Sequence, residues 1–236
     1  MSTRVTRGLA AAFLLCLACP EEGLWGQSPG AELPTVAVMD FTGFLLGEGG
    51  NSAPLGKAVS AMLVTEFVGR PGLHVIERHQ LAALIQEQKL ALSGLVDEGQ
   101  AVEIGKLVGA QYMLFGAATA AGGTLRMDVR AVDVETSEIL AVDKLSGKTE
   151  ELLDLVVRAA DNFGGKLNLS PPSDRPDVEA VPARATIEFS RALDSEDKGD
   201  LDKAIEHYRN TLEIHPHHQG AKRALERLES GGGSDA

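Results

Sequence analysis

Apolar positions along the chain switch between a helical and a strand period, and the switches divide it into elements. Thr35 to Phe41, TVAVMDF, is a short apolar run of the kind that forms a strand covered on both faces. Phe44 to Ser52 follows as a glycine-rich stretch expected to be a mobile loop. Leu55, Val59, Met62, Leu63 and Phe67 then share one face of a helix that Arg70-Pro71-Gly72 stops. Leu73 to Glu77 reads as a second strand. Leu81, Leu84, Ile85 and Gln88 recur at i, i+3, i+4 and i+7, a stripe on a short helix that Ser93 to Asp97 breaks. Asp97 with Gln100 three residues on is a capping-box signature for the next helix. Ala101, Ile104, Gly105 and Val108 make that helix's buried face, and Gly109 stands at its C′ position.

Tyr112 to Gly116 is again continuously apolar, a strand, and Ala117 to Gly123 reads as a small-residue turn. Leu125, Met127, Val129 and Ala131 alternate with Arg126, Asp128 and Arg130, which predicts a strand with one solvated face. The phase slips at Val132 and Val134, the mark of a bulge or of a change in which face is covered. Glu135 to Glu138 turns the chain, and Ile139 to Ser146 returns as a hairpin strand. Thr149 to Glu151 is placed to cap a helix with Leu152, Leu153, Val156, Val157, Ala160 and Phe163 on its core face. Strand, helix, strand, helix, helix, strand, hairpin, helix is the order of an α/β fold, a mixed sheet covered by helices.

These residues also resemble a family. The run Val75-Ile-Glu-Arg78, a loop ending Ser93-Gly-Leu-Val-Asp97, a helix bearing Lys106 and Gly109, and Tyr112 with Phe115-Gly116 look like the curli secretion component CsgG and its relatives. The likeness extends upstream to Val36–Phe41 and Leu55–Val59, and downstream through Leu125–Leu140, over Thr35 to Leu167 in all. At the turn before Ile139 this chain has Ser137 where the family usually has glycine. The resemblance implies a periplasmic-domain-like α/β fold and a role in the cell envelope, in assembly or secretion. Pore-forming relatives send two long hairpins into a membrane barrel. By resemblance they would leave between Gly116 and Leu125 and after Ser146, and neither place has the length for one.

Pro171-Pro172 to Pro182 reads as an extended polar linker within residues 169–182, between an α/β domain over 35–168 and a helical unit over 183–229. Residues 230–236 read as a flexible tail. In the helical unit Gly199, Ala204, Tyr208, Leu212 and Pro216 fall at the signature spacing of a tetratricopeptide repeat. One such repeat followed by an Ala221, Leu225, Leu228 helix cannot build the usual concave array. It docks either on the α/β domain or on another protein. The linker separates two self-consistent patterns, so cutting the tail off is expected to leave the α/β domain folded.

Residues 1–27 read as an export signal, with Arg4 and Arg7 before an apolar run from Gly8 to Cys19. Two exits stay open. Leu17-Ala18-Cys19 is a partial lipobox that makes Cys19 the candidate for lipidation, and simple cleavage after Gly26 is the other. Both cysteines, Cys16 and Cys19, lie in this segment, which leaves no disulfide framework and no cysteine-ligated zinc further on. The net charge of -12 argues against a nucleic-acid binder and against simple electrostatic docking on anionic lipid.

Candidate chemistry is sparse. Ser146-Gly147-Lys148-Thr149 ends like a phosphate-binding loop but has Val142 where the motif needs its first glycine. His215, His217 and His218 bracket Pro216 as exposed residues at the repeat's close rather than a metal site. Asp40 and Glu77 read as strand-end acids, solvated or pairing Lys and Arg, rather than a catalytic pair. The expectation is a non-enzymatic protein with no catalytic, cofactor or metal residues. It is exported to the periplasm, attached to the outer membrane only peripherally or by a lipid anchor, and acts as a scaffold or accessory. Its partners are other envelope proteins or further copies of itself, and not nucleic acid. The alternatives are a subunit of a secretion channel, and a ligand-binding or enzymatic α/β domain.

Overall fold

The computed structural model describes residues 33–46, 52–87, 97–172 and 181–231. Strand β1, Thr35–Val38, runs parallel to β4, His74–Ile76, on one side and to β5, Tyr112–Ala121, on the other. Strands β6, Thr124–Asp133, and β7, Ile139–Lys148, continue the sheet antiparallel from β5. Two short strands complete it. Leu45–Leu46, β2, lies parallel to the far half of β5 through Leu45 opposite Ala120, and Ser52–Ala53, β3, pairs antiparallel with β2. The sheet is therefore mixed, with seven strands among the described residues.

Side chains of β1 point alternately into two cores. Val36 and Val38 pack with α1, Leu55–Val68, and α4, Leu152–Lys166. Ala37 and the following Met39 pack with α2, Arg78–Glu87, and α3, Glu98–Val108, on the opposite face. That is why the run is apolar at every position. The expected face of α1 is the observed one, with Leu55, Val59, Met62, Leu63 and Phe67 all buried. Ser60 ties that helix to the end of β1: its hydroxyl accepts from the Phe41 N–H at 2.9 Å and donates to the Met39 carbonyl at 2.8 Å. The start of α3 has the capping box, Asp97 accepting from the Gln100 N–H at 2.8 Å, and Gly109 closes the helix at φ 70°. A Cβ on Gly105 would lie 2.5 Å from Val134, so this glycine sets how closely α3 approaches the sheet.

Several expectations are corrected. Ala117–Ala121 is strand, not turn. Ala118 and Ala120 are small because they lie buried against the helices, and only Gly122 and Gly123, at φ 56° and 78°, turn the chain, as a two-residue hairpin requires. The stretch read as a loop from Phe44 to Ser52 contains β2 and β3; residues 47–51 of it, and the breaker Ser93–Val96, lie outside the described residues. At Val132 both anticipated irregularities occur. The register against β7 shifts between Ala131 and Val132, and from there α3 covers the face that was solvated in the preceding residues. Thr149–Glu151 forms a 3-10 turn and α4 starts only at Leu152, with Glu151 accepting from the Lys148 N–H. Ser137 takes the left-handed conformation, φ 60°, that the family's glycine would take more easily.

The tail forms α5, Ala183–Asp197, α6, Leu201–Ile214, and α7, Gln219–Gly231. Phe189, Leu193, Ala204, Tyr208 and Leu225 belong to the same continuous core as Leu63, Phe67 and Phe163. Self-contained as a sequence pattern, the tail is joined to the rest as a packed object, because α1 is apolar on the side that faces α5 as well as on the side that faces the sheet. A chain ending at Ser170 should thus lose stability and aggregate more readily than the full chain, the reverse of what the linker alone implies. Denaturant unfolding and light scattering of the two forms decide it.

His218 precedes α7 and accepts the Ala221 N–H on Nδ1 at 3.2 Å, capping the helix, while its ring lies 4.3 Å from that of Phe189. Burial, then the neighbouring His215, push its pKa down to about 4 from 6.5. A folded-state value below the unfolded one means that the unfolded chain takes the proton first. This histidine's contribution is whole above about pH 6.5 and is lost as the pH falls to about 4, up to roughly 3 kcal/mol. Urea midpoints measured across that window should fall, and fall less in His218→Asn, which keeps a cap without a titrating ring.

Candidate functional site

The carboxyl ends of β1 and β4, where an open α/β sheet offers its crevice, meet the end of α5. Met39 and Asp40 leave β1 there, and Arg78 opens α2 immediately after β4. Arg78 has a side chain 9% exposed and lies between two carboxylates. Its Nε and one terminal nitrogen each donate to Asp40 at 2.8 Å, and its two terminal nitrogens donate to Asp197 at 2.9 and 2.6 Å. Burial opposes the guanidinium charge, but Asp40 and Asp197 outweigh it and hold the group more firmly protonated than usual. For Asp197 the balance is the mirror image: burial raises its pKa, and the bonds from Arg78 and Lys57 lower it further than that.

Lys57, in the first turn of α1, reaches Asp194 at 2.8 Å and Asp197 at 2.7 Å. Arg223 of α7 pairs with Glu77 at 2.8 Å. Within the tail, Glu196 accepts from Arg227 at 2.6 Å and from the Tyr208 hydroxyl at 2.7 Å, and burial followed by Glu196 pushes that phenol up. The last turn of α5 thus turns Asp194 and Asp197 to the α/β domain and Glu196 to its own helices. Asp40 and Glu77 are both paired with arginines, Arg78 and Arg223.

Beside this network opens a cleft of about 1050 Å³ between α2, the loop after β1 and the tail. Its walls are mainly apolar, with Met39, Phe41, Leu81 and Ile85 on one side and Leu201 and Leu228 on the other. Phe44, at 58% exposure, and Leu201, at 49%, line it while remaining open to solvent. His79 lines it, and burial followed by the charge of Arg227 holds that imidazole below its usual pKa. The arrangement favours holding an apolar side chain or segment, since its charges already neutralise one another.

Of the residues singled out in the sequence, Cys19 lies outside the described residues. Gly199, φ 78°, makes the turn between α5 and α6, Ala204 and Tyr208 are fully buried where those helices meet, Leu212 is half-buried, and Pro216 is exposed after α6. Ser146, Gly147 and Lys148 are strand residues of β7, so the partial phosphate motif is not a loop. His215 and His218 are buried and His217 is exposed; the buried pair sits at the turn into α7, a correction to the reading of all three as surface residues. The Arg78 network was not anticipated. Its signal was an unbalanced acidic turn, Asp194, Glu196 and Asp197, with one local base, Lys198.

Arg78→Met should destabilise the chain by about 2–4 kcal/mol, below the figure for a fully buried pair because Asp40 and Asp197 keep part of their water. Combining it with Asp197→Asn should cost less than the sum of the two single changes in denaturant unfolding, since the second change removes the acid the first leaves unpaired.

Residues 26–124 match the family model described as curli production assembly/transport component CsgG. That span covers β1 to β5 and stops as the chain enters β6, short of the Leu167 to which the sequence likeness runs. No curated protein matches the chain. Among solved structures, the LpoB C-terminal domain from Escherichia coli is similar at 19% identity and a TM-score of 0.39, covering 50% of this chain and 84% of that one. Lipoprotein GNA1162 from Neisseria meningitidis is similar at 16% identity and a TM-score of 0.37, covering 56% and 96%. TolB from Acinetobacter baumannii is similar at 12% identity and a TM-score of 0.40, covering 57% of this chain but 28% of its own.

Proposed function

We propose that this chain is a non-catalytic cell-envelope protein of the CsgG type, exported to the periplasm, that serves as a scaffold or accessory in assembly or secretion. The CsgG-family domain at residues 26–124 carries the reading. The tail gives it a second element. The buried Ala204 and Tyr208, the turn at Gly199 and the helical hairpin support its kinship with a tetratricopeptide repeat, a protein-contact module. The apolar cleft beside Arg78 is the place for a segment of a partner protein, with Phe44 and Leu201 as the first contacts.

The channel reading is the weaker one for a physical reason. A barrel hairpin must turn an apolar face to lipid along about 9–11 residues of each strand. β5, β6 and β7 have that length, but their apolar positions, Ala118, Leu125, Met127 and Leu145 among them, are covered by the protein's own helices. β5 and β6 are closed by Gly122-Gly123, and β7 leads directly into Thr149–Glu151.

Cells producing the full chain should yield a shortened form outside the cytoplasm, and that form should give no ion conductance in planar bilayers. Full-length protein retained in the cytosol removes the envelope role, and reproducible single-channel steps replace the scaffold with a pore. Loss of membrane association in Cys19→Ser identifies the anchor as lipid, and its retention identifies it as a contact of the folded chain.

A further inference from the structure

The face of the sheet opposite α1 and α4 is covered by α2 and α3 only as far as β1 and the near ends of β5 and β6. Beyond them β5, β6 and β7 present their other side to solvent, and register fixes what stands there. Thr124 lies opposite Lys148, Arg126 opposite Ser146, Asp128 opposite Lys144 and Arg130 opposite Val142. The adjoining row on β5 is small, with Thr119 beside Arg126 and Ala117 beside Asp128. Arg126, Arg130, Lys144 and Lys148 are therefore exposed on one surface, with Asp128 among them and Glu98 at its edge, in a protein whose net charge is -12. Arg130 pairs at 3.1 Å with Glu98 at the start of α3 and Arg126 pairs with Asp128, so the charge left over on this face is centred on Lys144 and Lys148, with Arg126 beside them. Asp128 accepts from Arg126 at 2.9 and 3.0 Å and fixes that guanidinium against the strand.

We infer that this face of β6 and β7 docks on the phosphate headgroups of an anionic bilayer. The choice of a lipid surface over a protein follows from what the face lacks. Protein interfaces are anchored by large apolar or aromatic side chains at their centre, and among the described residues of this face the exposed large apolar ones are two aliphatics near one end, Val142 at 52% and Ile139 at 45%, with no exposed aromatic ring. A headgroup layer asks for no such anchor, only for accessible cations on a surface flat enough to bring several down together. The acidity of the rest of the molecule does not forbid this. At physiological ionic strength charges more than about 8 Å away are largely screened, so the lipid responds to the nearest face and not to the net charge. The inference goes beyond the envelope role and does not depend on it, since vesicle binding is read in vitro.

The test uses the full chain with Cys19→Ser, so that no acyl chain contributes, and co-sedimentation with phosphatidylcholine vesicles with and without one-third phosphatidylglycerol. Binding should require the anionic lipid and weaken with salt. Arg126→Glu, Lys144→Glu and Lys148→Glu together should reduce affinity at least about tenfold. Arg184→Glu, Lys203→Glu and Arg209→Glu, which change the net charge equally from exposed positions on the tail, should leave it within about twofold. Circular dichroism of each variant establishes that it is folded, and Arg126→Gln with Lys144→Gln and Lys148→Gln replaces the reversal should that one fail to fold. The leader's own arginines are common to every form and cancel in the comparison. Equal losses from the two triple variants, no loss from the first, or displacement by inorganic phosphate at constant ionic strength would each overturn the inference. So would binding to soluble polyglutamate but not to vesicles, which would mark the face as one for an acidic polypeptide.

Discussion

The whole arrangement depends on one short strand that has no solvated side. Val36, Ala37, Val38 and Met39 are at most 1% exposed, and consecutive residues of a strand point to opposite faces. Such a strand is stable only if helices close over both faces and strands pair on both edges. Helices α1 and α4 do the first on one side and α2 and α3 on the other, while β4 and β5 supply the edges. Ser60 then fastens α1 to the strand's end through two backbone groups that would otherwise be buried without partners. The open surfaces lie where this double cover stops: the cleft above the strand's carboxyl end, and the exposed face of β6 and β7.

Charge is partitioned in the same way as apolar surface. Near β1, where water is scarce, the cations are matched, Arg78 by two acids and Lys57 by two. On the bare face of the hairpin, cations outnumber acids, and solvent makes that tolerable. Net charge alone conceals this partition, because it sums over all faces of the molecule at once.

Periodicity made most of this architecture legible. The two apolar runs at Val36 and Tyr112, the stripe from Leu55 to Phe67 and the capping box at Asp97 each carry a local signal that burial later matches. Local signals also explain the failures. Alanine-rich Ala117–Ala121 has little strand propensity of its own, and its conformation is set by its five partners on β6, Thr124–Asp128, rather than by any period within it. Leu45–Leu46 is too short to show a period and becomes a strand through Ala120. The tail's signature residues describe how α5 and α6 meet each other and say nothing of α1, whose outer side supplies their remaining cover. The site was least legible of all, because Arg78 meets Asp40 and Asp197 across 38 and 119 residues. An acid-rich helix end is an ordinary surface feature until its partner is in view.

That last separation has a temporal meaning. Arg78 is synthesised 119 residues before the second acid that receives it. At about 5–20 residues per second, the α/β portion waits roughly 6–24 s with its guanidinium half matched and the outer side of α1 uncovered. A chain interrupted in that interval holds most of a sheet but cannot complete its burial, so it stays recognisable to proteases and chaperones as unfinished. The helices of the tail therefore complete a burial that the preceding residues only begin.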